Sequence, residues 1–431
     1  MKKRALIITY YWPPSGGAGV QRWLKFVKYL PEFGWQPVVY TPENPEYPVL
    51  DDSLEKDVPA VTEIIKSRVW EPYDLYKKFV GLKKDERINA AFLSERRKPK
   101  LTEQLAVWLR GNLFIPDARR FWIRPSVKFL IDYLKQNPVD VIISSGPPHS
   151  MHLIAKALKE QLHLPWLADF RDPWTGIDFY QDLKLTPAAD RKHKRLEKEV
   201  LKSADRVVVI SEGMKQDFEQ ILPRNYDVIT NGFDEEDMPS EQIVPDQKFS
   251  IAHIGTLAKS RNPVELWKAL QELTAEDRDF NSALKIKLVG KVDFLVMESI
   301  RQHQLEPFLQ IIPYLDHDKV IEEQRRSQVL LLLINNTPNS RMILTGKLFE
   351  YLSARRPILC IGPEDGDAAR IIEETKAGKI AGFGNISEIK SIIREYFRKF
   401  KNGQLIAENK SINRFSRRAL AEDLSEVLKQ M

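Results

Sequence analysis

A chain of 431 residues is too long for one ordinary hydrophobic core and predicts two domains of about 200 residues each. At 43% hydrophobic and 29% charged residues it has neither a disordered nor a fibrous bias. The formal charge of +6 is mild for this length and excludes nothing but a strongly basic protein; a nucleic-acid binder would need a clustered groove.

The chain starts with Met1-Lys2-Lys3-Arg4 and a short apolar run that Trp12-Pro13-Pro14 breaks at once. Without a small-residue cleavage site, that run reads as a first buried strand rather than a leader. Strands are predicted at 5–9, 37–41, 139–144, 166–170 and 206–210, with helices at 21–30, 126–135, 151–162 and 191–203. Helix 21–30 shows the spacing most clearly, with Trp23, Leu24, Phe26, Val27 and Leu30 apolar. The pattern then starts afresh, with strands at 249–254, 284–289, 309–313, 329–334 and 357–361. Helices are predicted at 263–273, 293–303 and 348–354. Repeated βα units imply an α/β fold of parallel sheets covered by helices on both faces. The turn-rich polar stretch 231–239 suits a linker, so the domains are expected at 1–235 and 236–415.

The stretch 50–125 fits this alternation least, its segments 75–84 and 96–100 being aromatic or basic without clean periodicity. From Lys66 to Lys135 there are 17 Lys/Arg against 8 Asp/Glu. No run of roughly 18 apolar residues is present, so no membrane-spanning helix is expected. The one cysteine, Cys360, lies in an apolar strand and has no partner for a disulfide, which favours a reducing, cytoplasmic location.

In parallel α/β sheets, ligands bind at loops after the carboxyl ends of strands. The first such loop, 13–22, holds Gly16, Gly17 and Gly19. Arg22 stands where a dinucleotide fingerprint would place its third glycine, so the loop reads either as a close-approach anion site or as a tight turn without ligand. The second loop carries His149, and His152 falls inside the following helix. The third carries Asp169, Arg171 and Asp172, a set that can orient hydroxyls or hold a base ready. In the second half, Gly255 to Pro263 joins a strand to a helix, with Arg261 as a diphosphate clamp. Gly346 and Lys347 open the way to another helix, and Glu350 lies three residues on, on the same helical face. A cation for phosphate and a carboxylate for a ribose diol would make a nucleotide-diphosphate site; a surface ion pair is the alternative. Asp316-His317-Asp318 reads as helix capping and Asp365-Gly366-Asp367 as a turn into a helix, so no metal site is expected. Seven His and one Cys offer no zinc spacing.

Several segments in order resemble family 4 glycosyltransferases of the GT-B fold. They are Tyr11-Trp12-Pro13-Pro14 with Gly16-Gly17, Ala204 to Glu212, Asn231-Gly232-Phe233-Asp234, Gly255 to Pro263, and Thr345 to Leu352 with Arg356-Pro357-Ile358-Leu359. The resemblance implies two facing Rossmann-like domains, with an acceptor in the first and a nucleotide-sugar in the second. It also implies a last helix, at about 416–431, that packs back on the first domain. By that likeness Glu350 holds the ribose, Arg261 and Lys347 meet the diphosphate, and Gly16 and Gly17 face the acceptor and the donor phosphates. His149, Arg171 and Asp172 are the expected catalytic set.

The donor is expected to be a UDP- or GDP-sugar, with no further cofactor, and transfer is expected to retain the anomeric configuration. The acceptor is a glycan or lipid-linked precursor, and the basic insert is expected to meet an anionic membrane surface. Two positions depart from the family pattern. Met342 stands where a second glutamate is common, and Thr256 where an arginine often follows the glycine. A nucleotide-sugar 2-epimerase of the same architecture and a non-catalytic sugar-nucleotide-binding protein are the competing readings.

Overall fold

The central strands of both sheets read as continuous apolar runs because helices cover them on two faces, leaving no solvent side for polar alternation. The computed structural model describes residues 2–47, 49–71, 101–238 and 243–431; the segments 75–84 and 96–100 lie outside these. The chain forms two units, one of Met1–Thr230 with Arg417–Met431, the other of Asn231–Ser416.

In the first unit, strands β1 (Lys3–Ile8), β2 (Trp35–Pro42), β3 (Glu63–Ser67), β4 (Val141–Gly146), β5 (Trp166–Phe170), β6 (Arg206–Val209) and β7 (Asp227–Val228) form one sheet. Its order is β3-β2-β1-β4-β5-β6-β7, every pair parallel. Helix Ala18–Tyr29 lays Trp23, Leu24, Phe26 and Val27 on the sheet. Leu420, Ala421, Leu424 and Leu428 of helix Arg417–Lys429 join the same core, and Arg418 pairs with Glu32 at 2.7 Å.

The second unit repeats the plan with β8 (Phe249–Ile254), β9 (Leu284–Val289), β10 (Leu309–Ile312), β11 (Val329–Leu333), β12 (Ile358–Ile361) and β13 (Gly378–Ala381), in the order β10-β9-β8-β11-β12-β13. All its pairs are parallel. Helices Val264–Glu276 and Ile386–Lys401 share one core. Helices Gly346–Ala354 and Asp367–Thr375 share another. In each sheet the strand order reverses beside the first strand, β1 or β8, which opens a crevice at the carboxyl ends.

Some boundaries differ from expectation for local reasons. The helix predicted at 126–135 runs from Arg120 to Gln136, straight through Pro125. The helix predicted from 191 begins at Pro187, where Thr186 accepts from the Ala189 amide and proline sits at a first-turn position. Asp316 occupies the N-cap position of helix His317–Arg326, but its side chain makes no capping bond, so the capping expected there is only positional. Among the described residues no helix is long and apolar enough to cross a membrane.

Candidate active site

In the first unit, the loops after β1, β4 and β5 meet around Arg171. Its guanidinium donates to the carbonyls of Gly19 and Pro147 and lies 5.6 Å from the Tyr11 ring centre. Arg171 therefore ties three loops together, which is a structural duty as well as a source of positive charge. Its neighbour Asp169 turns inward. That carboxylate holds buried Arg22 at 2.8 Å, accepts from Trp23 Nε1 at 2.7 Å and from Ser145 Oγ at 3.0 Å. Arg22 also donates to the carbonyls of Ile229 and Thr230. The arginine that breaks the glycine fingerprint is thus an internal strut between helix Ala18–Tyr29, β5 and the end of the unit. Asp172 is solvent-exposed and outside that buried network.

Gly16 and Gly17 do different work. Gly16 is wedged against Val49 and Asp51, where an added β-carbon would come within 3.1 Å of both side chains. Gly17 takes a φ of 84°, in the left-handed region, and has open space around it just before the helix begins.

His149 sits at the N-cap of helix Ser150–Leu162, whose first turn Asp117 caps by accepting from the Ser150 amide and hydroxyl, both at 2.9 Å. Its ring is stacked on Trp174, centroids 4.4 Å apart and planes 1° from parallel. Trp174 is itself fixed by donation from Nε1 to His193 Nδ1 at 3.0 Å. Burial, then the neighbouring imidazoles of His152 and His193, hold His149 well below the ordinary imidazole pKa. It is a neutral ring at physiological pH. His152 is buried too, and burial lowers it to about 3.

In the second unit, Gly255 ends β8 with a φ of 106°, and Gly290 ends β9 with a φ of 104° against the Gly255 backbone. Lys347, in the first turn of helix Gly346–Ala354, lies over Gly255. A β-carbon there would meet its Cε and Nζ at 2.8 Å. Lys347 Nζ is 3.3 Å from Nε2 of His253. That ring is oriented by donating from Nδ1 to the Leu331 carbonyl at 3.1 Å, so its Nε2 is the acceptor. Burial, and then the charge of Arg261, pull Lys347 down to about 7, partly opposed by Glu350. Two cations beside a glycine-lined helix N-terminus are an arrangement that suits an anion such as a diphosphate.

Glu350 is half-buried and accepts from Gln324 Nε2 at 3.1 Å, leaving its other oxygen for a further donor. Tyr351, next in the chain, accepts at its hydroxyl from the Ile254 amide and pins the helix to β8. Thr345 Oγ1, at the N-cap, is buried with no partner, and Gly346 has nothing within 4 Å of where a β-carbon would stand.

The structure thus brings Lys347, Gly255, Arg261 and Glu350 to one end of the second sheet, and His149, Arg171 and Gly17 to one end of the first. Sequence reasoning missed His253, although a lone imidazole two residues before a glycine in an apolar strand was a visible signal. The inward pair Arg22–Asp169 had no sequence signal, being 147 positions apart. Asp365 pairs with Arg341 at 3.0 Å and Asp367 with Arg370 at 2.7 Å. Among the described residues no three His, Cys, Asp or Glu gather as a metal site would require.

Residues 88–237 match the model of Glycosyltransferase Family 4. No curated protein sequence matches the chain. Solved structures resemble it over their whole length. Sucrose-phosphate synthase from Thermosynechococcus elongatus superposes with a TM-score of 0.66 at 12% identity, covering 99% of this chain and 98% of that one. HepE from Anabaena, in complex with UDP, gives 0.63 at 14%, with both chains fully covered. WaaG, a glycosyltransferase involved in lipopolysaccharide biosynthesis, gives 0.59 at 14%, covering 99% and 100%. With its two doubly wound parallel sheets this chain has the GT-B fold, and its segment 88–237 is similar to the family 4 glycosyltransferases.

Proposed function

We propose that the protein transfers a sugar from a UDP- or GDP-sugar to a glycan or lipid-linked acceptor, with retention of configuration and without a metal ion. The observation that carries this reading is Lys347 lying over Gly255 at the N-terminus of helix Gly346–Ala354, with Arg261 near and Glu350 one turn on. The second unit is the donor domain. Lys347, Arg261 and the helix N-terminus stabilise the departing diphosphate, where charge develops as the glycosidic bond breaks. Glu350 accepts hydrogen bonds from the ribose diol. That HepE binds UDP in its own structure supports a uridine donor.

The first unit is the acceptor side. There His149, neutral and stacked on Trp174, hydrogen-bonds a hydroxyl, Gly17 leaves the backbone open to approach, and Arg171 with Asp172 supplies charge at the same sheet edge. An anionic membrane surface is the proposed site of a lipid-linked acceptor. Trp70, Phe121 and Leu113 are exposed in the first unit, with Trp70 and Phe121 in edge-to-face contact at 4.8 Å. Arg110 of helix Leu101–Leu113, and Arg124 and Lys128 of helix Arg120–Gln136, are exposed as well. Basic side chains with exposed aromatics suit an interface where rings enter the headgroup layer and cations meet anionic lipid.

A thermal-shift screen of UDP-, GDP- and ADP-sugars tests the donor, because a ligand that binds only the folded state raises its melting temperature. One nucleotide class is expected to stabilise, and turnover with it is expected to persist in EDTA. Loss of turnover in EDTA that manganese restores overturns the metal-free reading. An epimerised sugar formed with no acceptor present replaces transfer by 2-epimerisation.

A further inference from the structure

Behind His149 lies a chain of buried polar groups that the proposed function does not use. Trp166 Nε1 donates to Ser144 Oγ at 2.8 Å, and Ser144 Oγ lies 2.8 Å from His152 Nδ1. All three residues are fully buried. Ser144 already accepts from the tryptophan, and a buried hydroxyl that gave its own hydrogen to nothing would lose about 1–3 kcal/mol. His152 Nδ1 is the partner in reach, so the hydroxyl donates to it and the proton of the neutral His152 ring sits on Nε2.

That Nε2 is buried with no partner, and so is His149 Nδ1. Both nitrogens crowd one point, the place where a β-carbon on Gly146 would stand. His149 Nδ1 is 3.0 Å from it and His152 Nε2 closer still. They are therefore no more than about 6 Å apart without a direct hydrogen bond between them, the span of one bridging water. One is a donor in want of an acceptor, and the other can be that acceptor.

We propose that His152 is a positioning residue that fixes the tautomer of His149. The relay runs from Trp166 Nε1–H to Ser144 Oγ–H to His152 Nδ1, and from His152 Nε2–H through one bridging water to His149 Nδ1. His149 is thereby held with its proton on Nε2, the nitrogen left to meet a ligand. It faces the acceptor side as a hydrogen-bond donor and not as a base. The absence of a side chain at Gly146 is what lets the two rings approach. Both imidazoles must stay neutral for the relay to hold, and their lowered pKa values agree with that. The assignment rests on the proposed function only in giving His149 something to donate to.

Long-range proton–nitrogen NMR spectra of the full chain, labelled with nitrogen-15 histidine and recorded near pH 7 without donor or acceptor, test it. The His149 signals are assigned by their loss in His149→Gln. The wild type is expected to show His149 with the proton on Nε2. In His152→Phe, which keeps the ring but has no donor, the His149 pattern is expected to average between tautomers. His152→Gln, with an amide donor in reach, is expected to restore it. A wild-type His149 carrying its proton on Nδ1 overturns the proposal, as does an unchanged tautomer in folded His152→Phe. If His152→Phe does not fold, the wild-type spectrum still decides. No turnover is measured, so failure of the glycosyl-transfer reading would leave this result standing.

Discussion

Lys347 sits in an environment far from what its type suggests. An ammonium with an ordinary pKa of 10.5 is brought to about 7 by burial and by Arg261. Below pH 7 both folded and unfolded chains carry the charge, and the folded state bears the full cost of burying it. Between about pH 7 and 10.5 the unfolded chain binds more protons, so this group's penalty is relieved as pH rises. Donor binding runs the opposite way, because a diphosphate favours the ammonium. Affinity for the cognate nucleotide-sugar is expected to fall from about pH 6 to about pH 9, with proton uptake on binding. Calorimetry in buffers of different ionisation heat measures that uptake, and Lys347→Met should abolish both effects. A flat affinity profile would remove Lys347 from the diphosphate site. Glu350→Gln should weaken nucleotide binding by about 1.5–3 kcal/mol while changing stability by less than about 0.5 kcal/mol. Unchanged affinity in the folded variant places the ribose elsewhere.

At the scale of elements, the buried central strands and the edge strand β10 were legible in the sequence, while the edge strands β3, β7 and β13 were not. Glu63–Ser67 alternates between exposure and half-burial, and β7 has only two residues, so neither gives a long apolar signal. The strand β13 begins at Gly378, whose place is set entirely by its neighbour. An added β-carbon would come within 2.7 Å of the Ile358 backbone nitrogen and carbonyl carbon. Gly378→Ala is therefore expected to push β13 off β12 and cost roughly 1–3 kcal/mol or more. Gly346→Ala, in open space at a helix start, should change stability by less than about 0.5 kcal/mol. Urea unfolding of the two variants compares them, and equal midpoints would mean that the β12–β13 pairing absorbs the methyl group.

At the scale of the whole molecule, the charge is uneven. The stretch from Lys66 to Lys135 carries an excess of positive charge greater than that of the complete chain. Part of it accompanies the exposed rings of Trp70 and Phe121. Each basic residue near an anionic surface contributes about 1 kcal/mol at low salt. The protein is expected to sediment with anionic vesicles, to release as salt shortens the screening length, and to ignore neutral vesicles. Replacing Trp70 and Phe121 with Ser should weaken the attachment without affecting nucleotide binding. No sedimentation at low salt ends the membrane proposal.

The sequence by itself determined the α/β class. A strand buried on both faces must be apolar throughout, and an amphipathic helix must repeat near 3.6 residues, so both patterns survive in one dimension. It also marked Gly255, Arg261, Lys347 and Glu350 as one candidate set by their order along the chain. Only the tertiary structure decided what each side chain touches. Lys347 reaches His253 across 94 positions, and Asp169 spends its carboxylate on Arg22 and Trp23 while Asp172 stays exposed. Such pairings depend on which loops a folded sheet edge brings within about 3 Å, and hydrogen bonds at that range leave no periodic trace in sequence.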